Sequence, residues 1–329
     1  MKTAMTRLEF MNGRRKALIT SASLTLAVTV LRAQDGWKPT RPIKLVVPFA
    51  AGGGADAAAR LVGKGLSERL GQPVIVENRA GASGAIGSEY VYNAPPDATV
   101  LLAATGDAQA VNPHLHALRF DSTRFVPLAG ITLAGFVLMG RLSLPAENIL
   151  DLKKLASKQS LTYSSGGGGT AIHVVTAAFA SMAKFDNLLH VPYQGGGPAI
   201  TALLAGQVDL MMVPGSIAAP YLSRARVYGI TGSQRNRFMP GVPTLSEQGV
   251  SLVADSWTGI VAPPGMPTSI ASALADAIYQ TVNDPAMQKL FSGQGKEWFQ
   301  LGRKQFEKYY KDQYSSWGEM IKAGRIMAE

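Results

Sequence analysis

Three glycine-rich segments are the residues of this chain best suited to chemistry, and the chemistry is anion binding by backbone N–H groups. The first, Pro48-Phe49-Ala50-Ala51-Gly52-Gly53-Gly54-Ala55-Asp56, follows the apolar run Ile43–Val47 and precedes an alanine-rich stretch with helical spacing. Glycine between a strand and a helix lets successive N–H groups face outward, and the helix N-terminus adds a partial positive charge. The second, Tyr163-Ser164-Ser165-Gly166-Gly167-Gly168-Gly169-Thr170, has the same placement, with Ser165 and Thr170 supplying hydroxyl donors. The third, Pro192-Tyr193-Gln194-Gly195-Gly196-Gly197-Pro198, again ends a strand and opens a helix. One such loop is equally well explained as a tight turn. Three at the carboxyl ends of strands fall where open α/β sheets place ligands. No G-x-G-x-x-G frame and no Gly-Lys-Ser/Thr is filled, so these are neither a dinucleotide fingerprint nor a P-loop.

No catalytic constellation accompanies them. The histidines, His114, His116, His173 and His190, form no H-E-x-x-H and have no acidic cluster beside them in sequence, so a zinc site is not expected. A G-x-S-x-G elbow is absent as well. His173, three residues after Thr170, reads as a helix residue that satisfies the loop. Asp56 reads as an acid complementing a helix start, and Asp209 as a strand-end turn residue. The expectation is a site without catalytic residue, metal or cofactor.

The elements that must position these loops alternate between strand and helix. After Ile43–Val47 come a helix from about Asp56 to Leu70, a strand at Val74–Val76, a glycine-opened helix near Gly84–Asn93 and a strand at Val100–Ala104. This β-α-β-α-β order predicts a parallel sheet with helices on both faces. The middle third repeats it, with strands at Phe136–Gly140, Leu161–Tyr163, Leu189–Val191 and Val208–Val213 and helices at about Ala171–Ala183 and Pro198–Ala205. A strand at Trp257–Ala262 and helices beyond Pro267 follow, with Trp298, Phe306, Tyr310, Tyr314 and Trp317 at spacings suited to packing. A first unit completed late by the final strand and helices fits this pattern; two sequential domains fit it too.

Composition narrows the class further. With 329 residues, 47% hydrophobic and 16% charged, the chain can bury a large core or two domains of ordinary size. The formal charge is +10, but Lys2, Arg7, Arg14, Arg15, Lys16 and Arg32 against Glu9 place about half of it in residues 1–33. The remainder is ordinary for a globular protein, and nucleic acid is not expected as a partner. Arg14-Arg15-Lys16 precedes an uncharged run from Ala17 to Leu31, then Ala33 and polar Gln34-Asp35. That is a signal-peptide pattern over residues 1–33, and the run of about 15 residues falls short of the roughly 20 that span a bilayer. The arginine pair suits a general secretory or a twin-arginine route. The absence of cysteine excludes a lipid-anchored cysteine, a disulfide framework and a thiol nucleophile.

From about Arg41 onward the chain resembles the Bug-type solute receptors of tripartite tricarboxylate transporters, which have the class II periplasmic binding protein architecture. The marks are Arg41-Pro42-Ile43, Val47-Pro48-Phe49 with Ala51-Gly52-Gly53, Leu66-Ser67-Glu68-Arg69-Leu70-Gly71-Gln72-Pro73, and Val76-Glu77-Asn78-Arg79. Asn112-Pro113, His190-Val191-Pro192-Tyr193, Gly206-Gln207-Val208-Asp209-Leu210-Met211 and Val242-Pro243-Thr244 follow in the family's order. The resemblance implies an α/β fold of two lobes, each a mainly parallel sheet flanked by helices. Lobe 1 would span 36–134 plus 254–329 and lobe 2 would span 135–253, with a small organic carboxylate between them. It places the first-lobe contacts at Ala50, Ala51, Gly52 and Gly53, with Thr105 and Gly106 beside them. The second-lobe contacts map to Ser165, Gly166, Gly169 and Thr170, and to Gln194, Gly195 and Gly196. It further implies a monomer in the periplasm whose partners are membrane permease subunits; a receptor feeding a sensor kinase is the alternative, and a secreted α/β enzyme a more distant one. Met212 and Val213 stand where many relatives carry an aromatic and then Asp, Gln194 and Gly196 where Lys and Ser are frequent, and Ala55 where a hydroxyl residue often precedes the Asp. These departures point to a less charged, roomier pocket and a carboxylate with an apolar or aromatic body.

Overall fold

The run Ile43–Val47, held between Pro42 and Pro48, forms strand β1, and Gly54–Leu70 forms helix α1 behind it. Helix α1 turns Ala58, Ala59, Val62 and Leu66 inward, all with no exposed surface. It stops at Gly71, whose φ of +68° suits a residue without Cβ, with the Gly71 N–H donating to Ser67 O at 3.0 Å. The computed structural model describes residues 37–185, 187–293, 297–323 and 326. The described residues from Pro39 onward belong to one unit; the signal peptide expected over residues 1–33 lies outside the described residues.

Strand β2 (Val74–Asn78), helix α2 (Ala85–Tyr92) and strand β3 (Val100–Thr105) continue the alternation, with β1 parallel to both β2 and β3. Strand β4 (Val126–Arg141) follows, then α3 (Ile149–Ala156), β5 (Leu161–Ser165), α4 (Ala171–Ala183) and β6 (Leu188–Pro192). Next come α5 (Gly196–Leu204), β7 (Leu210–Pro214), β8 (Ala225–Ile230) and β9 (Asp255–Ala262). Helices α6 (Thr268–Val282) and α7 (Pro285–Gly293), the short strand β10 (Glu297–Trp298) and helix α8 (Arg303–Ala323) end the described chain. One sheet carries the order β2-β1-β3-β9-β4-β7-β5-β6, with β8 and β10 also pairing to β4.

The sheet is parallel toward its two ends and antiparallel in the middle. Strand β5 runs parallel to β6 and β7, whereas β9 is antiparallel to β3 and to β4, and β4 is antiparallel to β7 and β8. Strand β4 is also far longer than the Phe136–Gly140 segment predicted from sequence. Pro127, Gly130 and Gly135 read as breakers, but the ladder absorbs the irregularity in register shifts at Pro127/Ala129 and Gly130/Thr132. The glycines serve close packing instead: a Cβ on Gly130 would lie 2.4 Å from the Phe299 ring, and one on Gly135 would lie 2.8 Å from Ile230 Cγ1.

Apolar clusters flank this strand. Val46, Leu102, Ala104, Trp257, Phe299, Phe306 and Tyr310 belong to one, Phe136, Leu138, Leu161, Val174, Phe179, Met212 and Trp317 to another, and Val137, Met139, Leu203 and Val213 to a third. Each fully buried Leu, Val or Phe contributes roughly 1.5–3 kcal/mol. Helix α8 contributes Phe306 and Tyr310 to the first cluster and Trp317 to the second, which is why its aromatics recur at helical spacing.

Candidate functional site

The turn after β1 is built around Asp56. Gly52, at φ +85°, directs its N–H to Asp56 Oδ2 at 2.9 Å, a backbone conformation that side chains disfavour. Arg60 Nε donates to the same oxygen at 3.1 Å, and Asn78 Nδ2 donates to Oδ1 at 2.9 Å and to Phe49 O at 3.1 Å. Burial alone would raise the Asp56 carboxyl, but the bonds from Arg60, Gly52 N–H and Asn78 outweigh it and bring the pKa down to about 2. Asp56 is therefore a staple of the turn. The turn it holds leaves the Gly53, Gly54 and Ala55 amides at the start of the 17-residue α1 donating to no other described residue. Such a row of N–H groups at a helix N-terminus is suited to an anion.

The Gly166–Gly169 loop is organised differently. Ser165, fully buried, donates from Oγ to Gly167 O at 2.9 Å and accepts from Gly167 N–H at 3.1 Å, with His190 Nε2 2.7 Å away. Thr170 caps α4, accepting from His173 N–H at 3.4 Å while donating to Gly167 O at 2.9 Å. Gly169 N–H donates to His173 Nδ1 at 3.0 Å, and the His173 ring stacks on His190 with centroids 4.0 Å apart. Ala171 N–H, at the first turn of α4, donates to Asp107 Oδ1 at 3.0 Å. The hydroxyls and most amides of this loop are committed to holding its own shape.

The third loop zips against the second. Tyr193 N–H donates to Ser165 O at 3.0 Å and Gly195 N–H to Gly166 O at 3.2 Å. The fit is close, since a Cβ on Gly166 would lie 3.1 Å from Gly196 N. Gly196 and Gly197 N–H groups open α5 with no side-chain cap and no partner among the described residues.

All three loops reach one cavity of about 480 Å³. Of the residues singled out from sequence, Gly53, Thr105, Gly166, Thr170, Gly195 and Gly196 line it, whereas Ala50, Ala51, Gly52, Gly106, Ser165, Gly169 and Gln194 do not. Gly106 lies under the Trp257 indole, where a Cβ would come within 3.0 Å of Nε1. That buried Nε1–H has no hydrogen-bond partner among the described residues.

Several lining residues were not among the contacts expected from sequence. Phe49, Leu133, Phe136, Ile172, Ile217 and Trp257 make the apolar wall, and Ser83, Thr132, Ser216, Ser256 and Thr258 put hydroxyls on it. Asp107 is the other acid of the lining besides Asp56, and among the described residues no lysine, arginine or histidine lines the cavity. Pro214-Gly215-Ser216 leads from the last residue of β7 into a helical turn, so the rule that found the glycine loops could have found it. An anion here would be stabilised by backbone N–H groups and helix N-termini rather than by a cationic side chain.

A family profile described as "Tripartite tricarboxylate transporter family receptor" matches residues 58–326. The chain is 34% identical to a UPF0065 protein in the tcbD-tcbE intergenic region of Pseudomonas sp. strain P51, over 96% of each chain. Among solved structures it is similar to the periplasmic binding protein BugD, with 28% identity and a TM-score of 0.76 over 88% of this chain and 100% of that one. It is also similar to an R. palustris protein solved with adipate, with 29% identity and a TM-score of 0.79 over 88% of this chain and 99% of that one. With a match of this extent and a mixed α/β sheet flanked by helices, the chain belongs to the tripartite tricarboxylate transporter family of receptors.

Proposed function

We infer that the protein is a non-catalytic periplasmic receptor that captures one small organic carboxylate in the 480 Å³ cavity and hands it to the membrane subunits of a tripartite transporter. The observation that carries this reading is the set of uncommitted amides at Gly53, Gly54 and Ala55 and at Gly196 and Gly197, opening two helices beside one cavity. Two lobes, 36–134 with 254–329 and 135–253, close on the ligand as a monomer, so the two sets of amides act as opposed jaws. The apolar wall of Phe49, Leu133, Phe136 and Ile172 takes the body of the ligand, which favours a carboxylate with an apolar or aromatic skeleton over a citrate-like polyanion. The adipate bound by the R. palustris neighbour supports a carboxylate as the ligand class.

Native mass spectrometry of the exported protein should detect a co-purified carboxylate, and incubation should leave that ligand's mass unchanged. Calorimetric titration should rank monocarboxylates and aromatic acids above citrate. Tighter binding of citrate would overturn the reading of the ligand body, and turnover would overturn the non-catalytic role.

A further inference from the structure

Asp107 has no part in the carboxylate capture described above. It follows Thr105-Gly106 at the carboxyl end of β3, lines the cavity and is only partly buried. Its carboxylate accepts from Ala171 N–H at 3.0 Å and from its own backbone N–H. Desolvation raises its pKa against those two bonds, and no lysine or arginine of the described residues is within ion-pair distance. A carboxylate has about four lone-pair sites, so two N–H donors leave acceptor capacity unfilled.

Asp56 differs on each count, since Arg60, Asn78 and the Gly52 N–H surround it and hold it ionised. Asp107 is thus the one acid of the lining with an uncompensated charge among the described residues.

Two consequences follow for a ligand. The Ala171 N–H, at the start of the 13-residue α4, is already bonded to a carboxylate, so a ligand anion is directed to the amides opening α1 and α5. A second anionic group on the ligand would share a cavity with Asp107 and find, among the described residues, no cationic side chain in the lining to separate them.

We propose that Asp107 is a specificity-determining residue that accepts a hydrogen bond from a cationic, N–H-bearing group of the ligand, so that the cavity selects amino-substituted carboxylates over dicarboxylates of the same length. The proposal rests on the receptor reading above and adds the chemical class of the ligand. In it, the ligand carboxylate docks on the free helix-opening amides, its ammonium group meets Asp107, and its skeleton lies on the apolar wall.

The test is calorimetric titration of the wild-type protein and of Asp107→Asn at neutral pH with matched pairs of acids. The pairs are δ-aminovalerate against adipate, leucine against isocaproate, and phenylalanine against hydrocinnamate. Wild type should bind the amino-bearing member of at least one pair roughly tenfold or more tighter than its counterpart. Asp107→Asn keeps an acceptor for Ala171 N–H and loses the charge, so it should reduce that preference by roughly tenfold while leaving the Tm near wild type. Tighter binding of the unaminated member in every pair, or an unchanged ratio in Asp107→Asn, would overturn the proposal. The co-purified ligand is a second readout that needs no variant: an acid without nitrogen overturns the role of Asp107 and leaves the receptor standing. Failure of any carboxylate to bind or co-purify overturns both.

Discussion

Adding one methyl group at Gly53 should separate binding from folding. Gly53 has φ −75° and ψ 170°, a conformation open to any L-residue, and a Cβ there would meet only Ala50 O at 3.6 Å. Restricting the unfolded chain by Gly→Ala stabilises by about 0.4–1 kcal/mol, while alanine is the poorer N-cap by a similar amount. Stability should stay within about 1 kcal/mol of wild type. Binding should not: Gly53 lines the cavity beside the free Gly54 and Ala55 amides, and the methyl displaces an anion from them. Loss of one charge-assisted hydrogen bond, about 1.5–3 kcal/mol, weakens affinity roughly 10- to 100-fold. Calorimetry with the tightest-binding carboxylate and urea unfolding measure the two quantities on the same preparation. Gly71→Ala is the converse control. Its φ of +68° makes a side chain strained, and it does not line the cavity, so it should lose about 1 kcal/mol of stability and no affinity. Gly167 is a poorer probe, because its φ of +127° strains any side chain and mixes the two effects. Affinity of Gly53→Ala within twofold of wild type would refute the assignment of the α1 amides to the ligand.

Other perturbations test the frame around the site. The Asp56 carboxyl, lowered from 3.8 to about 2, contributes about 2 kcal/mol of stability that is fully present above pH 4 and lost as pH falls through 2; urea unfolding of wild type and Asp56→Asn should converge over that window. Thr231, fully buried, accepts from Phe136 N–H at 2.8 Å and donates to Ala254 O, so Thr231→Val leaves two buried backbone groups unpaired and should lose about 2–4 kcal/mol by chemical denaturation. In Gly259→Ala the new Cβ would lie 2.3 Å from Phe306 Cζ and 3.0 Å from Ala129 O, so overpacking of at least about 1–3 kcal/mol should appear as a lowered Tm.

The glycine loops were legible because each sits directly between an apolar run and a helical pattern, which fixes both its position in the sheet and the direction of its N–H groups. Their division of labour was not. Ser165 looks like a ligand donor in sequence, but β5 turns its side chain inward against Gly167 and His190. Asp107 and Trp257 escaped notice for another reason: they reach the cavity through the antiparallel pairing of β3 with β9, where Thr105 faces Thr258, and that register joins segments about 150 residues apart in a way that periodicity does not encode. The length of β4 was hidden by Gly130 and Gly135, which serve ring packing at positions where a sequence reading sees a turn.

The position of β9 between β3 and β4 also sets a timetable for folding. Strands β1, β2 and β3 are complete by Thr105, yet β3 and the first part of β4 have no neighbour on their facing edges until Asp255–Ala262 is available. While the chain is made N-terminus first, these edges stay unpaired for most of its length, and the pairing that covers them is of high contact order. A chain built this way carries two strand edges open to the wrong partner until Ala262 has been made, so its exposure to edge-to-edge association is set by where β9 falls in the sequence.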